Sequence, residues 1–233
     1  MKMIWRQRGI GKEGLSVDPK PRIWKSGPDK TPREVLAEAA SLLARGGVVI
    51  YPTETFYALG AVPLMGEALD RVFSVKGREA GKPLPLIGSG KEAVLNAVSG
   101  WPEAAEKLAG AFWPGPLTLV LPASSSLPSA LHAGTGKVAI RVSSHPVAVL
   151  LAEGCGGLLV STSANRSGEP PPSRPEEIHP DVLARADGFI DAGNLAGGFP
   201  STIVDVAVFP PRLLRAGAVG WDEIRRVLAA GLP

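Results

Sequence analysis

Three short polar stretches hold the residues best suited to chemistry: Lys76-Gly77-Arg78, Ser161-Thr162-Ser163-Ala164-Asn165 and Pro200-Ser201-Thr202-Ile203-Val204-Asp205. Each sits at the end of an apolar run, where a strand or helix would deliver side chains to a shared edge. Together they offer two cations, a cluster of hydroxyls and one carboxamide. That mixture suits a nucleotide, whose phosphates need fixed positive charge and hydrogen-bond donors once water is displaced. A fourth stretch, Tyr51-Pro52-Thr53-Glu54-Thr55, leaves an apolar run with two hydroxyls and one carboxylate, a lip for a small polar substrate. Arg141 closes Val138-Ala139-Ile140, and Arg215 closes Leu213-Leu214. Arginine at apolar strand ends points to an anionic partner, because a guanidinium is rarely withdrawn from water without one. The bland reading of Lys76 and Arg78 is that they complement a helix dipole, worth about 0.3–1 kcal/mol.

Other chemistries find no support. His132, His145 and His179 are scattered and lack cysteine partners, so no zinc site is expected. Gly88-Ser89-Gly90-Lys91-Glu92 superficially resembles a phosphate loop, but Pro85 stands where the first glycine is needed and Glu92 where Ser or Thr is needed. Gly134-Thr135-Gly136-Lys137 fails the same test. No Gly-x-Ser-x-Gly elbow surrounds any serine, which leaves a hydrolase triad unsupported. Cys155 is the only cysteine, so no internal disulfide forms and a reducing cytoplasm is the natural setting. Its glycine-rich surroundings allow a thiol nucleophile, but a small buried or loop cysteine is the ordinary reading.

These residues need elements to position them. The 233 residues, 45% hydrophobic and 20% charged, describe a globular chain with a core. No apolar run reaches the roughly 18 residues of a membrane span, and the first residues lack the apolar stretch of a secretory signal. Residues 1 to 33 hold nine Lys or Arg and three Asp or Glu, a net of +6, which leaves 16 basic and 19 acidic residues, a net of −3, in the remainder. Residues 1–30 therefore read as a basic N-terminal arm and residues 31–233 as one folded domain. With Trp5 and Trp24 interleaved, the arm suits RNA contact through phosphates and stacking. The alternative is an extension that packs its tryptophans on the body.

Thr31-Pro32-Arg33-Glu34 reads as a capping box opening a helix that ends at Gly46-Gly47. A strand over Val48-Val49-Ile50-Tyr51 and a helix near Glu67 to Val75 follow. Further strands are expected at Leu84 to Ile87, Leu117 to Leu121, Val138 to Val142, Leu158 to Ser161, Ile203 to Val206 and Arg212 to Leu214. Helices are expected near 102–112, 146–153, 175–185 and 221–230, the third behind a second capping box at Ser173-Arg174-Pro175-Glu176. The alternation argues for a single α/β domain on one main sheet with flanking helices.

Taken in order, the motifs resemble the YrdC-like family of threonylcarbamoyl-AMP synthases over about Gly46 to Val219. They are Tyr51-Pro-Thr-Glu-Thr-Phe-Tyr-Ala-Leu-Gly60, Lys76-Gly-Arg78, Trp113-Pro-Gly-Pro-Leu-Thr118, Val138-Ala-Ile-Arg141, Ser163-Ala-Asn165-Arg-Ser-Gly168, Ser201-Thr-Ile-Val-Asp205 and Leu214-Arg-Ala-Gly217. The resemblance implies an open twisted mixed sheet with a concave basic cleft. It also implies a reaction in which L-threonine, bicarbonate and ATP give L-threonylcarbamoyladenylate and pyrophosphate, with Mg²⁺ accompanying ATP. Partner proteins then use the product to modify tRNA. By family position Lys76 and Arg78 are catalytic and face the phosphates. Thr53, Thr55, Arg141, Ser161 and Ser201 hold threonine, and Lys82, Ser163, Asn165 and Arg215 join the first two on ATP.

The sequence departs from the family pattern at Glu79, Lys82, Ile87, Lys137 and Pro171. Ala58 is a feature of the YciO-like branch, which tends to lose the Ser-Ala-Asn present here. The short stretch after the core implies that the extra C-terminal domain of longer members is absent. Two other readings stay open: a double-stranded RNA-binding protein of the same fold, and a YciO-like relative without the activity.

Overall fold

The computed structural model describes residues 20–27, 31–77 and 81–230. Apolar runs rich in Val, Ile, Leu and Tyr form the central, buried strands. The strands are β1 (Arg22–Lys25), β2 (Val49–Pro52), β3 (Tyr57–Gly60), β4 (Leu86–Gly88), β5 (Leu117–Pro122), β6 (Lys137–Arg141), β7 (Leu158–Val160), β8 (Thr162–Ser163), β9 (Gly188–Asp191), β10 (Thr202–Asp205) and β11 (Arg212–Arg215). Of these, β1 and β11 are largely exposed and β8 is a Thr-Ser pair. Runs with helical spacing form α1 (Arg33–Ala44), α2 (Gly66–Lys76), α3 (Lys91–Ala97), α4 (Glu103–Phe112), α5 (Ser129–His132), α6 (Pro146–Gly154), α7 (Pro180–Arg185) and α8 (Trp221–Ala229). The α/β class is as the sequence implies, but the hydrogen bonding divides the strands between two mixed sheets.

One sheet has the order β1-β9-β2-β3-β8 and the other β11-β10-β5-β6-β4-β7. The chain passes from the second to the first between β7 and β8, with Ser161 alone between them. There the backbone N–H of Val160 donates to the Ala61 carbonyl at 3.0 Å, and that of Ser161 to the Pro85 carbonyl at 2.8 Å. The strand expected over Leu158 to Ser161 thus corresponds to β7 and the crossing residue, and β8 has no counterpart in the sequence reading, because two residues are too few for a pattern. One core cluster gathers Leu59, Leu69, Leu108, Leu119, Ile140 and their neighbours. A second gathers Leu43, Tyr51, Ile87, Leu151 and Ile190 beneath α1 and α6.

Within the stretch read as an arm, β1 pairs in parallel with β9. Trp24 is buried, its indole Nε1 donates to Glu38 at 2.8 Å, and its ring occupies the space that Gly188 leaves by having no side chain. Trp5 lies outside the described residues. The capping box at Thr31 does not form. Helix α1 starts at Arg33 after an extended Pro32, and the Thr31 hydroxyl is hydrogen-bonded to Ser26 Oγ at 2.5 Å instead. The 175–185 region splits into a 3-10 turn, Pro175–Glu177, and the short α7. Its cap is Glu177 rather than Glu176: Glu177 Oε2 accepts from the N–H groups of Ser173 at 2.7 Å and Arg174 at 3.1 Å. Strand β4 begins at Leu86 rather than Leu84, since Pro83 and Pro85 have no N–H to donate to a ladder.

Candidate active site

Both sheets contribute residues. Thr53 and Thr55 lie in the turn that joins β2 to β3, which pair antiparallel. Arg141 ends β6, Thr118 is near the start of β5, Ser201 precedes β10, and Arg215 ends β11. Because β5 runs antiparallel to β6 and parallel to β10, with β11 antiparallel to β10, these four positions share one sheet edge. Of the three polar stretches expected to meet at one edge, only the one holding Ser201 lies in this row; Lys76 ends a helix and Ser163 belongs to the other sheet.

Arg141 is buried, as are Thr53, Thr55 and Ser201. Its guanidinium forms an ion pair with Glu54, whose other carboxylate oxygen accepts a hydrogen bond from the Ser143 hydroxyl. Burial, the largest cause, lowers Arg141 to about 10; Arg215 adds to the drop and Tyr51 opposes it. Arg141 thus stays cationic at neutral pH, close enough to a second guanidinium to be repelled by it. Such a pair of cations is relieved by an anion between or beside them.

Arg215 wraps Ser201. Its Nε and Nη2 donate to the Ser201 carbonyl at 3.1 and 2.8 Å, and Nη2 also donates to Ser201 Oγ at 3.0 Å. The Ser201 hydroxyl is in turn bonded to Thr118 Oγ1 at 2.9 Å. Gly217 makes this approach possible, since a Cβ there would lie 2.1 Å from the Pro200 carbonyl oxygen and 2.6 Å from the Ser201 carbonyl carbon. Ser201 and Arg215, assigned by family position to threonine and to ATP, are therefore direct partners.

Tyr51 lies beneath this edge. Its hydroxyl donates to the Val160 carbonyl at 3.2 Å, and burial pushes the phenol well above its ordinary range, opposed by a hydrogen bond with Ser161 and by Arg141. Thr53 Oγ1 donates to the Phe56 carbonyl at 2.7 Å and holds its own turn closed.

Lys76 ends α2, where Gly77 takes the left-handed conformation at φ 56° and stops the helix. The ammonium does not project into water as a dipole-complementing cation would. It is 3% exposed and donates to the carbonyls of Ser163 at 2.5 Å and Asn165 at 2.9 Å and to Asn165 Oδ1 at 3.0 Å. Asn165 Oδ1 also accepts from Ser163 Oγ at 2.5 Å, and its Nδ2 donates to the Glu169 carbonyl. Lys76, Ser163 and Asn165 thus form one unit, and β8 pairs Ser163 with Ala58 of β3 beside the Thr53–Thr55 turn. Lys82 is exposed, while Arg78 and Glu79 lie outside the described residues. Cys155 is half-buried, and burial pushes its thiol up to about 11, which removes the thiolate a nucleophile requires.

Residues 41–217 match the family described as Telomere recombination, the Sua5/YciO/YrdC domain. The chain belongs to that family. A Pyrococcus abyssi relative named threonylcarbamoyl-AMP synthase is 39% identical over 190 residues, 82% of this chain and 56% of the relative. The chain spans about half the length, 56%, of that relative and of a Bacillus subtilis one of the same name. Among solved structures, Pyrococcus abyssi Sua5 complexed with L-threonine superposes with a TM-score of 0.85 at 36% identity, covering 89% of this chain and 61% of Sua5. Escherichia coli YciO superposes with a TM-score of 0.80 at 26% identity, covering 88% of this chain and 99% of YciO.

Within this Sua5/YciO/YrdC framework, Ile87 is wholly buried in β4 and level with Arg141 across the β4–β6 pair. Lys137 starts β6 and pairs with Asp205 at 2.8 Å. Pro171 precedes Pro172, whose carbonyl accepts from the N–H of Tyr57 at 2.9 Å. Sequence reasoning missed Thr118, Ser143 and Tyr51 as members of the site, although Thr118 and Tyr51 stand inside quoted motifs. It also missed the partnership of Glu54 with Arg141, which are 87 residues apart.

Proposed function

We propose that this chain is an L-threonylcarbamoyladenylate synthase, a nucleotidyltransferase that forms threonylcarbamoyl-AMP and pyrophosphate from L-threonine, bicarbonate and ATP. The observation that carries the reading is the shared edge of Arg141, Ser201 and Arg215, two neighbouring guanidiniums with a hydroxyl held by one of them. It is supported by a 36%-identical structure that binds L-threonine. In this reading Arg141 takes the threonine carboxylate in a charge-assisted pair, and Thr53, Thr55, Ser161 and Ser201 offer hydroxyls to the rest of the amino acid. Lys76, Arg78, Lys82, Ser163, Asn165 and Arg215 serve the nucleotide.

The reaction needs the threonine-derived carbamate oxygen to attack the α-phosphorus while pyrophosphate leaves. The protein's work is positioning and charge neutralisation. The Lys76–Ser163–Asn165 unit suits that work, because its groups are already ordered and need not be reorganised. Mg²⁺ enters as part of the substrate, on the phosphate oxygens of ATP. Among the described residues no three His, Cys, Asp or Glu side chains converge to cage a divalent ion. The product is passed to tRNA-modifying partner proteins in the cytoplasm. Among the described residues no helix is long and apolar enough to cross a membrane.

The deciding experiment incubates the chain with ATP, threonine, bicarbonate and Mg²⁺ and follows pyrophosphate and the adenylate, with threonine omitted as control. Threonine-dependent release of both is expected. ATP turnover indifferent to threonine, or no turnover, would favour the YciO-like reading, which the 0.80 TM-score and Ala58 keep in view.

A further inference from the structure

The Glu54–Arg141 pair has a chemical property that neither residue has alone. It sets a carboxylate and a guanidinium side by side, each largely withdrawn from water, with side-chain exposures of 13% and 9%. An α-amino acid zwitterion carries the complementary couple, an ammonium and a carboxylate on one carbon. The contact with Glu54 runs through Nη1 of the guanidinium, which has five N–H donors in all. The fork geometry of a guanidinium allows Nε and Nη2 to meet a carboxylate while Nη1 remains against Glu54. Ser143 holds the Glu54 carboxylate from its other oxygen, and the N–H of His145 donates to Ser143 Oγ at 3.1 Å, which fixes the hydroxyl in turn.

We propose that Glu54 is the residue that recognises the α-ammonium group of the amino-acid substrate and restricts the site to α-amino acids. The inference rests on the reading of Arg141 as the carboxylate partner. The amino acid then docks alongside the existing pair with no net change of charge in the site. Without Glu54, a buried guanidinium would favour any small carboxylate.

The test is calorimetric titration of the full chain with L-threonine and with (2S,3R)-2,3-dihydroxybutanoate, which replaces the ammonium by a hydroxyl and keeps every other group. The unsubstituted protein is expected to prefer threonine by about tenfold or more, the scale of one charge-assisted hydrogen bond. In Glu54→Gln the threonine affinity falls by at least about tenfold, while the hydroxy acid binds as before or more tightly, so the preference collapses. Equal weakening of both ligands would make Glu54 a mere support for Arg141 and overturn the proposal, as would an unchanged preference. ATP affinity and thermal unfolding of the variant, measured alongside, show that the chain is folded. Were that so and neither protein bound threonine, the proposed function itself would fail. Were the variant unfolded, Glu54→Asp gives the same comparison, with the preference for threonine retained but reduced.

Discussion

The ammonium of Lys76 sits among carbonyl oxygens, so its removal acts in two ways. Lys76→Ala leaves the Asn165 side chain and the Ser163 carbonyl short of a donor, a loss of about 1–3 kcal/mol in urea unfolding. It also lowers the rate of adenylate formation by about 10²–10³, the scale of a lost preorganised charge. A destabilised variant with normal turnover would make Lys76 a tether of the Ser163–Asn165 loop and nothing more. Sequence alone gives the lysine and its helix end but not these partners, because they lie 87 and 89 residues further on. Arg141→Ala separates the two halves of the site. The KM for threonine rises far more than the KM for ATP, since the lost group binds the amino-acid carboxylate. Weakened ATP dependence with unchanged threonine dependence would move Arg141 to the phosphate side.

At the scale of elements, the site depends on how closely β11 and the chain before β10 approach. Gly217 sits where any Cβ would meet the Pro200 and Ser201 backbone, which cannot move aside as a side chain can. Gly217→Ala is expected to cost about 1–3 kcal/mol of stability, the usual penalty of overpacking, and to weaken ATP binding by displacing Arg215 from Ser201. Denaturant unfolding and ATP titration measure the two effects, and unaltered ATP affinity would sever this glycine from the site. The strands that carry the site were legible because apolar runs such as Val138-Ala139-Ile140 stop at a polar residue. The glycine was legible only as a letter in a motif, since close approach depends on a segment that is distant in sequence. Elements that hang on a single side chain were the least legible. The helix at Arg33 begins without its expected cap because the Thr31 hydroxyl bonds back to Ser26, five residues earlier, and not forward to the helix.

For the molecule as a whole, the basic N-terminal stretch does not divide cleanly from the body. Strand β1 adds to a sheet, Trp24 is buried, and Lys25 is paired with Asp191 at the end of β9. Removing residues 1–29 is therefore expected to destabilise the chain by about 3–5 kcal/mol, the scale of losing a buried tryptophan, as read by denaturant unfolding. Removing residues 1–19 alone keeps β1, and that chain is expected to be the more stable of the two. Equal stability of the two truncated chains would show that β1 adds nothing. Four residues of Arg-Ile-Trp-Lys between glycines and prolines are too short for periodicity to mark as a strand, and only the tryptophan hinted at burial. The crossing at Ser161 has a different consequence. The chain is threaded from one sheet into the other through that one residue, with the Tyr51 neighbourhood before it and the Lys76–Ser163–Asn165 unit after it. The chain also crosses between the sheets from β3 to β4 and from β9 to β10, but through much longer connections, so this is the crossing at which the two sheets are tied most closely. The two halves of the site are therefore expected to be lost together, with threonine and ATP binding disappearing at the same denaturant concentration, and binding of either one that outlasts the other would show that the crossing does not couple them.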